Sequence, residues 1–282
     1  MTDQPAGAAT FERLLTSGQL PPWLPQLLQT LYDGQDPDTA ARWSRRVGDC
    51  LEQAPFEVVH DWQARTVVPL MREACDPEPA DAEPAEPEST KREPAEPATA
   101  EPADSDLREM HARAAAGKPF DEAQWRAALE PVLRTLYRRA YGYAEAYVTA
   151  RASASAYARA NDFSESGAVE FADSYAKLST DSNQKSYAQS NAVANAAVLA
   201  AAYASGDARA YAEAYPFALV HACAHAYANR PNQPNQPSPA GEGDAESDGD
   251  RSTEPAGLRQ AAYTRMADGL ADSLAGVNRG GR

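Results

Sequence analysis

His221-Ala-Cys223-Ala-His225 is the densest cluster of soft metal ligands in this 282-residue sequence. On a helix His221 and His225 stand one turn apart, a spacing at which two imidazoles can chelate a metal ion. Cys223 then lies about 160° from their midpoint, on the far side of the helix. On a strand all three would share one face. No Glu follows His221, so the pattern is not that of a HExxH metalloprotease, and a third ligand has to come from elsewhere. The plainer reading is that the two histidines replace tyrosines in the repeat described below. Glu57-Val-Val-His60 puts a carboxylate–imidazole pair on one helix face, but di-iron bundles use two such motifs and two further carboxylates. The sequence has one, so His60 is expected to be a partly exposed histidine. There is no Gly-rich phosphate loop, no CxxC pair and no GxSxG, which argues against an enzyme, and no cofactor is expected.

The elements that must position these residues are dominated by a repeat. Between Ala140 and Asn229, 28 of the even-numbered residues are alanine, against only Ala197 and Ala201 among the odd ones, and all ten tyrosines are odd-numbered. The unit is a degenerate tetrad, Tyr-Ala-polar-Ala, as in Tyr143-Ala-Glu-Ala-Tyr147. As strands it would put every alanine on one face, giving a β-solenoid or silk-like sheet. As a helix it puts tyrosine and the polar residue on opposite sides with alanine on both flanks, drifting about 40° per tetrad. Alanine, Glu, Arg, Lys and Gln favour helix, and Ala, Glu, Lys, Asp and Asn are depleted in strands, so the helical form is expected. Four helices follow: Asp121 to about Ala160, Phe163–Leu178, about Asn183–Ser205, and Ala208–Ala228, with Pro131 and Pro216 as kinks or splits. Small flanks let helices approach closely, with tyrosine rings filling the gaps. Tyr143, Tyr147, Tyr203, Tyr211, Tyr215 and Tyr227 are the candidate interaction residues, because a repeated face suits a repeated partner.

Charge marks the boundaries between pieces. The chain carries −15 overall; residues 76–106 hold −9 of it and residues 230–256 hold −4. Both segments are rich in Pro and poor in bulky apolar residues, so they read as disordered linkers. The pieces between them are a small helical bundle at 8–75, the tetrad domain at 107–229 and an amphipathic helix at 257–276. In the bundle, Asp38 is the expected N-cap of Thr39–Gln53, and Pro69 a kink or stop. In the last helix Leu258, Ala262, Met266, Leu270 and Leu274 recur every four residues, a face fit to dock back or to enter another protein's groove.

The fold is therefore expected to be all-α. The acidic balance excludes a nucleic-acid binder that relies on positive charge. Three scattered cysteines exclude a disulfide scaffold, and no apolar run is long enough to insert in a membrane. Met1–Leu15 lacks the pattern of a signal peptide, which points to the cytoplasm, and arginine outnumbers lysine 22 to 4, as in GC-rich bacterial genomes. The expected function is a non-enzymatic scaffold or adaptor working through protein partners and self-association. The alternative is a ligand- or metal-binding helical domain accessory to an enzyme.

Overall fold

A computed structural model describes residues 11, 15, 20–48, 50, 51, 54–75, 103–230 and 253–280. Among the described residues every regular element is a helix and none is a strand. The protein is all-α, and the sheet alternative for the tetrad region is overturned: alanine at every second position wins more from intrahelical bonding than from a pleated face. The expected linkers lie largely outside the described residues, at 76–102 and 231–252.

The first helices are cut by proline and aspartate. α1 (Leu24–Asp33) starts after Pro21-Pro22 and buries Leu24, Leu27, Leu28 and Leu31. α2 (Pro37–Gly48) buries Ala40, Trp43 and Val47. Its first turn is held by Asp36, whose Oδ1 accepts from the Thr39 N–H at 3.0 Å, so the cap falls two residues before the expected Asp38. α3 (Glu57–Trp62) runs through a π-helical turn (Gln63–Val67) into α4 (Val68–Cys75). Pro69 neither stops nor sharply breaks this run. It has no N–H and its ring crowds the carbonyl four residues back, and the widened turn just before it absorbs both effects.

α5 (Ala103–Ala115) was not foreseen. It buries Leu107 and His111 against α3, the π turn and α6. α6 (Glu122–Ala140) opens with a reciprocal cap, in which Asp121 accepts from the Gln124 N–H and Gln124 accepts from the Asp121 N–H. The chain then departs twice from the expected helix pattern. The single helix expected from Asp121 to Ala160 breaks at Tyr141–Gly142, giving α6 and α7 (Tyr143–Ala160). Conversely, the two helices expected across 163–205 are one rod of 41 residues, α8 (Glu165–Ser205), about 60 Å long. Gly206, at φ +63°, ends it in the left-handed region that glycine adopts without strain. Asp207 then caps α9 (Ala208–Glu213), and Pro216 splits off α10 (Pro216–Ala228), as the proline positions led one to expect. α11 (Thr253–Gly280) closes the described chain.

α6 and α7 lie end to end and antiparallel to α8. Four residues turn a helix through 400°, so the buried stripe of α8 creeps round the rod by about 40° per tetrad. α7 covers its N-terminal part, with Arg151 against Asp173 and Tyr143 against Asp181, and α6 the part beyond, with Arg138 against Gln184 and Tyr137 against Tyr187. The buried stripe reads Ala168, Ala172, Ala176, Thr180, then Ala188, Ala192, Ala196 and Ala200.

One continuous apolar core joins the N-terminal helices to α5, α6, the C-terminal part of α8, α9, α10 and α11. α11 packs on α1, α2, α3 and α10. The Trp43 indole donates to the Ala267 carbonyl at 2.7 Å and the Trp62 indole to the Met266 carbonyl at 2.9 Å. Arg265 donates to both Glu73 carboxylate oxygens at 2.6 and 2.7 Å, and Ser273 donates to Asp61 at 2.7 Å. Gly269 permits this approach, since a Cβ there would sit 2.0 Å from Thr66 Oγ1.

Candidate functional site

The tetrad region divides into a buried half and a projecting half. No residue from 141 to 187 belongs to the large apolar core. α7 and the first half of α8 form a two-helix arm that holds itself together. Its seam is alanine on alanine, with Ala154 and Ala158 of α7 buried along with Ala168, Ala172 and Ala176 of α8. Polar pairs fix the register: Tyr143 donates to Asp181 at 2.7 Å, and Arg151 pairs with Asp173, which also lies 3.4 Å from the Tyr147 hydroxyl. The Gln184 amide donates to the Arg138 carbonyl at 3.0 Å, at the junction with the body. The bond to Asp181 pushes the Tyr143 phenol up to about 12, and the Arg151 guanidinium holds the Asp173 carboxyl below the usual range.

Each tetrad supplies two alanine positions, and the arm uses one. The other stripe faces outward: Ala144, Ala152, Ala156 and Ala160 on α7 are exposed, with Val148 between them. Six of the ten exposed large apolar side chains among the described residues lie here: Val148, Tyr157, Phe163, Val169, Tyr175 and Leu178. Phe171 stacks against Tyr175 and meets Tyr157 and Phe163, so the rings form a connected strip. Bulky exposed apolar side chains are thus concentrated on one slender element.

The candidate tyrosines do not share one surface. Tyr143 and Tyr147 stack on one another at the base of the arm. Tyr203 and Tyr211 are buried in the body and are off the surface altogether. Tyr215 is 61% exposed at the α9–α10 corner, where it adopts φ +51°. Tyr227 is half-buried, with the Arg230 guanidinium 3.6 Å over its ring and Arg265 donating to its hydroxyl at 3.3 Å. The helix breaks explain the scatter: Tyr143 and Tyr147 lie on α7, Tyr203 on α8, Tyr211 on α9, Tyr227 on α10, and Tyr215 at the corner between the last two.

His221 and His225 do stand together on α10. They line an open cleft of about 430 Å³ with Asp33 from α1 and Arg259, Gln260 and Tyr263 from α11. Cys223 points the other way and is buried, as the spacing required. Burial lowers the pKa of both imidazoles, helped at His225 by the Arg259 charge. Burial also pushes the Tyr263 phenol up to about 12, so it stays protonated. The His221 Nδ1 lies 2.5 Å from that hydroxyl. If the hydroxyl donates, Nε2 of His221 carries the proton and cannot ligate; in the reverse tautomer Nε2 is a free ligand. Both Asp33 oxygens accept from Gln29, at 2.8 and 2.9 Å. Among the described residues, no group of three or more His, Cys, Asp and Glu side chains converges so as to hold a metal ion.

The feature that sequence reasoning missed is internal. His60 is buried, not partly exposed, and its motif partner Glu57 is at the surface. The His60 and His111 rings sit within an aromatic cluster of Trp125, Tyr203, Phe56 and Tyr211. Among the described residues, the indole N–H of Trp125 and the hydroxyls of Tyr203 and Tyr211 are buried there without a hydrogen-bond partner in good geometry, although the Tyr211 hydroxyl faces Tyr203 and Gln63. The available signal was the helical spacing of Leu107, Met110, His111 and Ala114. Nothing local links that helix to Glu57-Val-Val-His60. No helix among the described residues is long and apolar enough to cross a membrane. No protein-family model matches this chain, and no curated protein or solved structure matches it either.

Proposed function

We propose that this chain is a non-enzymatic scaffold or adaptor that works through protein–protein contacts made by its projecting arm, self-association included. One observation carries the reading: six exposed bulky apolar side chains are gathered on a hairpin whose own seam needs only alanine. An arm meant only for solvent would gain nothing from Leu178 or Val148 at the surface, whereas a partner helix could bury them. The body supplies the anchor, and the acidic segments at 76–106 and 230–256 act as spacers that keep it soluble in a bacterial cytoplasm. The test is affinity capture with the full chain against a Val148→Glu/Leu178→Glu form. Both changes are at exposed sites and should leave circular dichroism unaltered. The expected result is that proteins held by the parent chain, added copies of itself included, are lost by the variant. An identical captured set would place the contact elsewhere.

The second reading, a helical domain that binds a small ligand or metal, is favoured by the cleft that brings His221 and His225 opposite Asp33 and Arg259. Calorimetric titration with Zn²⁺ tests its metal form. Stoichiometric binding that disappears in His221→Ala/His225→Ala would promote this reading over the first.

A further inference from the structure

We propose that α8 pairs with α8 of a second copy of this chain, antiparallel, about a two-fold axis between Lys177 and Leu178. This rests on the arm being an association surface and adds the occupant, the direction and the register.

Over the middle of α8 the seam side is set by Ala172, Ala176 and Thr180, which are buried toward α7. On the opposite side, Glu170, Ser174, Leu178, Asp181 and Lys185 fall within an arc of about 80° at 100° per residue. Leu178 is 72% exposed, the highest value among the exposed large apolar side chains, and it stands midway along this face, at one edge of the arc. Glu170 and Lys185 are both exposed and make no ion pair within the described residues. By contrast Asp173, at the edge of the seam, pairs with Arg151, and Asp181 accepts from Tyr143.

The spacing of these residues is symmetric. Glu170 lies seven residues before Lys177 and Lys185 seven after Leu178, while Ser174 and Asp181 lie three before and three after. An antiparallel second copy therefore sets Glu170 against the partner's Lys185 and Lys185 against the partner's Glu170. Leu178 meets the partner's Leu178 at the axis, and the Ser174 hydroxyl donates to the partner's Asp181 through the carboxylate oxygen that Tyr143 leaves free. Such an interface is isologous and closes on itself as a dimer. A parallel arrangement would bring Glu170 against Glu170 and Lys185 against Lys185, so the charges select the antiparallel one. The small Ser174 lets the two backbones approach closely.

Sedimentation equilibrium of the full chain tests this. The parent is expected to show a concentration-dependent dimer. Glu170→Lys alone and Lys185→Glu alone should each weaken it by about ten-fold or more, since each turns two attractions into two repulsions. The Glu170→Lys/Lys185→Glu chain should regain association to within about three-fold of the parent, because the reversed charges meet again. Both sites are exposed, so unchanged circular dichroism serves as the folding control. A double variant as weak as the single ones, or single variants as tight as the parent, overturns this register while leaving the arm available to other contacts. A parent chain that stays monomeric overturns self-pairing, and the broader reading then stands or falls on whether arm-dependent capture of another protein survives.

Discussion

The Nδ1 atoms of His60 and His111 lie 3.0 Å apart in the core, joining α3 to α5 across 51 residues of sequence. At that distance a single hydrogen sits between them, so one ring donates and the other accepts, and both are neutral. His60 also stacks on Trp125, with 10° between the ring planes, and Tyr203 packs against both imidazoles. An added proton would go to the free Nε2 of the donor ring and place an imidazolium charge among apolar rings, with little water to solvate it.

Acid should therefore loosen this protein before most carboxylates titrate. Burial lowers His60 from 6.5 to about 4, and His111 falls well below its usual value through burial and the neighbouring His60. Between those limits the unfolded chain binds more protons than the folded one, so stability falls as pH drops from about 6.5 toward 4. For His60 alone the loss by pH 4.5 is on the order of 2–3 kcal/mol. Urea melts at pH 7 and 4.5 should show a lower midpoint at the acid value, and His60→Phe/His111→Phe should flatten that dependence. An equal acid shift in parent and variant would move the cause to the carboxylates.

The seam and the outer stripe of the arm should respond oppositely to the same substitution. Ala176 is fully buried between α7 and α8, so Ala176→Leu has no room and should cost about 1–3 kcal/mol. Ala156 faces solvent on α7, and Ala156→Leu should stay within about 0.5 kcal/mol of the parent. Thermal melts followed at 222 nm compare the two, and equal losses would contradict the assigned seam.

Gly269→Ala should lift α11 from the body. The added methyl would overlap Thr66 at its Oγ1, Cγ2 and Cβ, and the Cβ cannot swing aside. Destabilisation of about 1–3 kcal/mol is expected. Because Trp43 and Trp62 donate to carbonyls of Ala267 and Met266, their fluorescence should shift to the red in the variant. Unchanged emission together with unchanged stability would mean that the glycine contact is not required.

The helical class was legible because helix preference is carried by single residues and by their spacing. Some boundaries were legible for the same reason: Asp121 as a cap, Gly206 as a stop, Asp207 as a new cap and Pro216 as a split are all local chemistry. The region Leu178–Asn183 reads as a break, since Ser, Thr, Asp and Asn compete with the helix for backbone bonds. In the folded chain Asp181 accepts from Tyr143, Thr180 enters the alanine seam and Gln184 reaches the Arg138 carbonyl, so α8 continues. The candidate site was legible in part. The i, i+4 spacing put His221 and His225 on one face and Cys223 on the other, but Asp33, Arg259 and Tyr263 reach them from remote helices.

By itself, then, the sequence determined that the chain is helical and that the tetrad makes rods with small flanks, because both follow from interactions within a few residues. Only the tertiary structure decided which of two chemically equal small-residue stripes is buried, which tyrosines enter the core, and that His60 meets His111. Those outcomes depend on which helix lies alongside, and nothing within one turn of the chain encodes its neighbour.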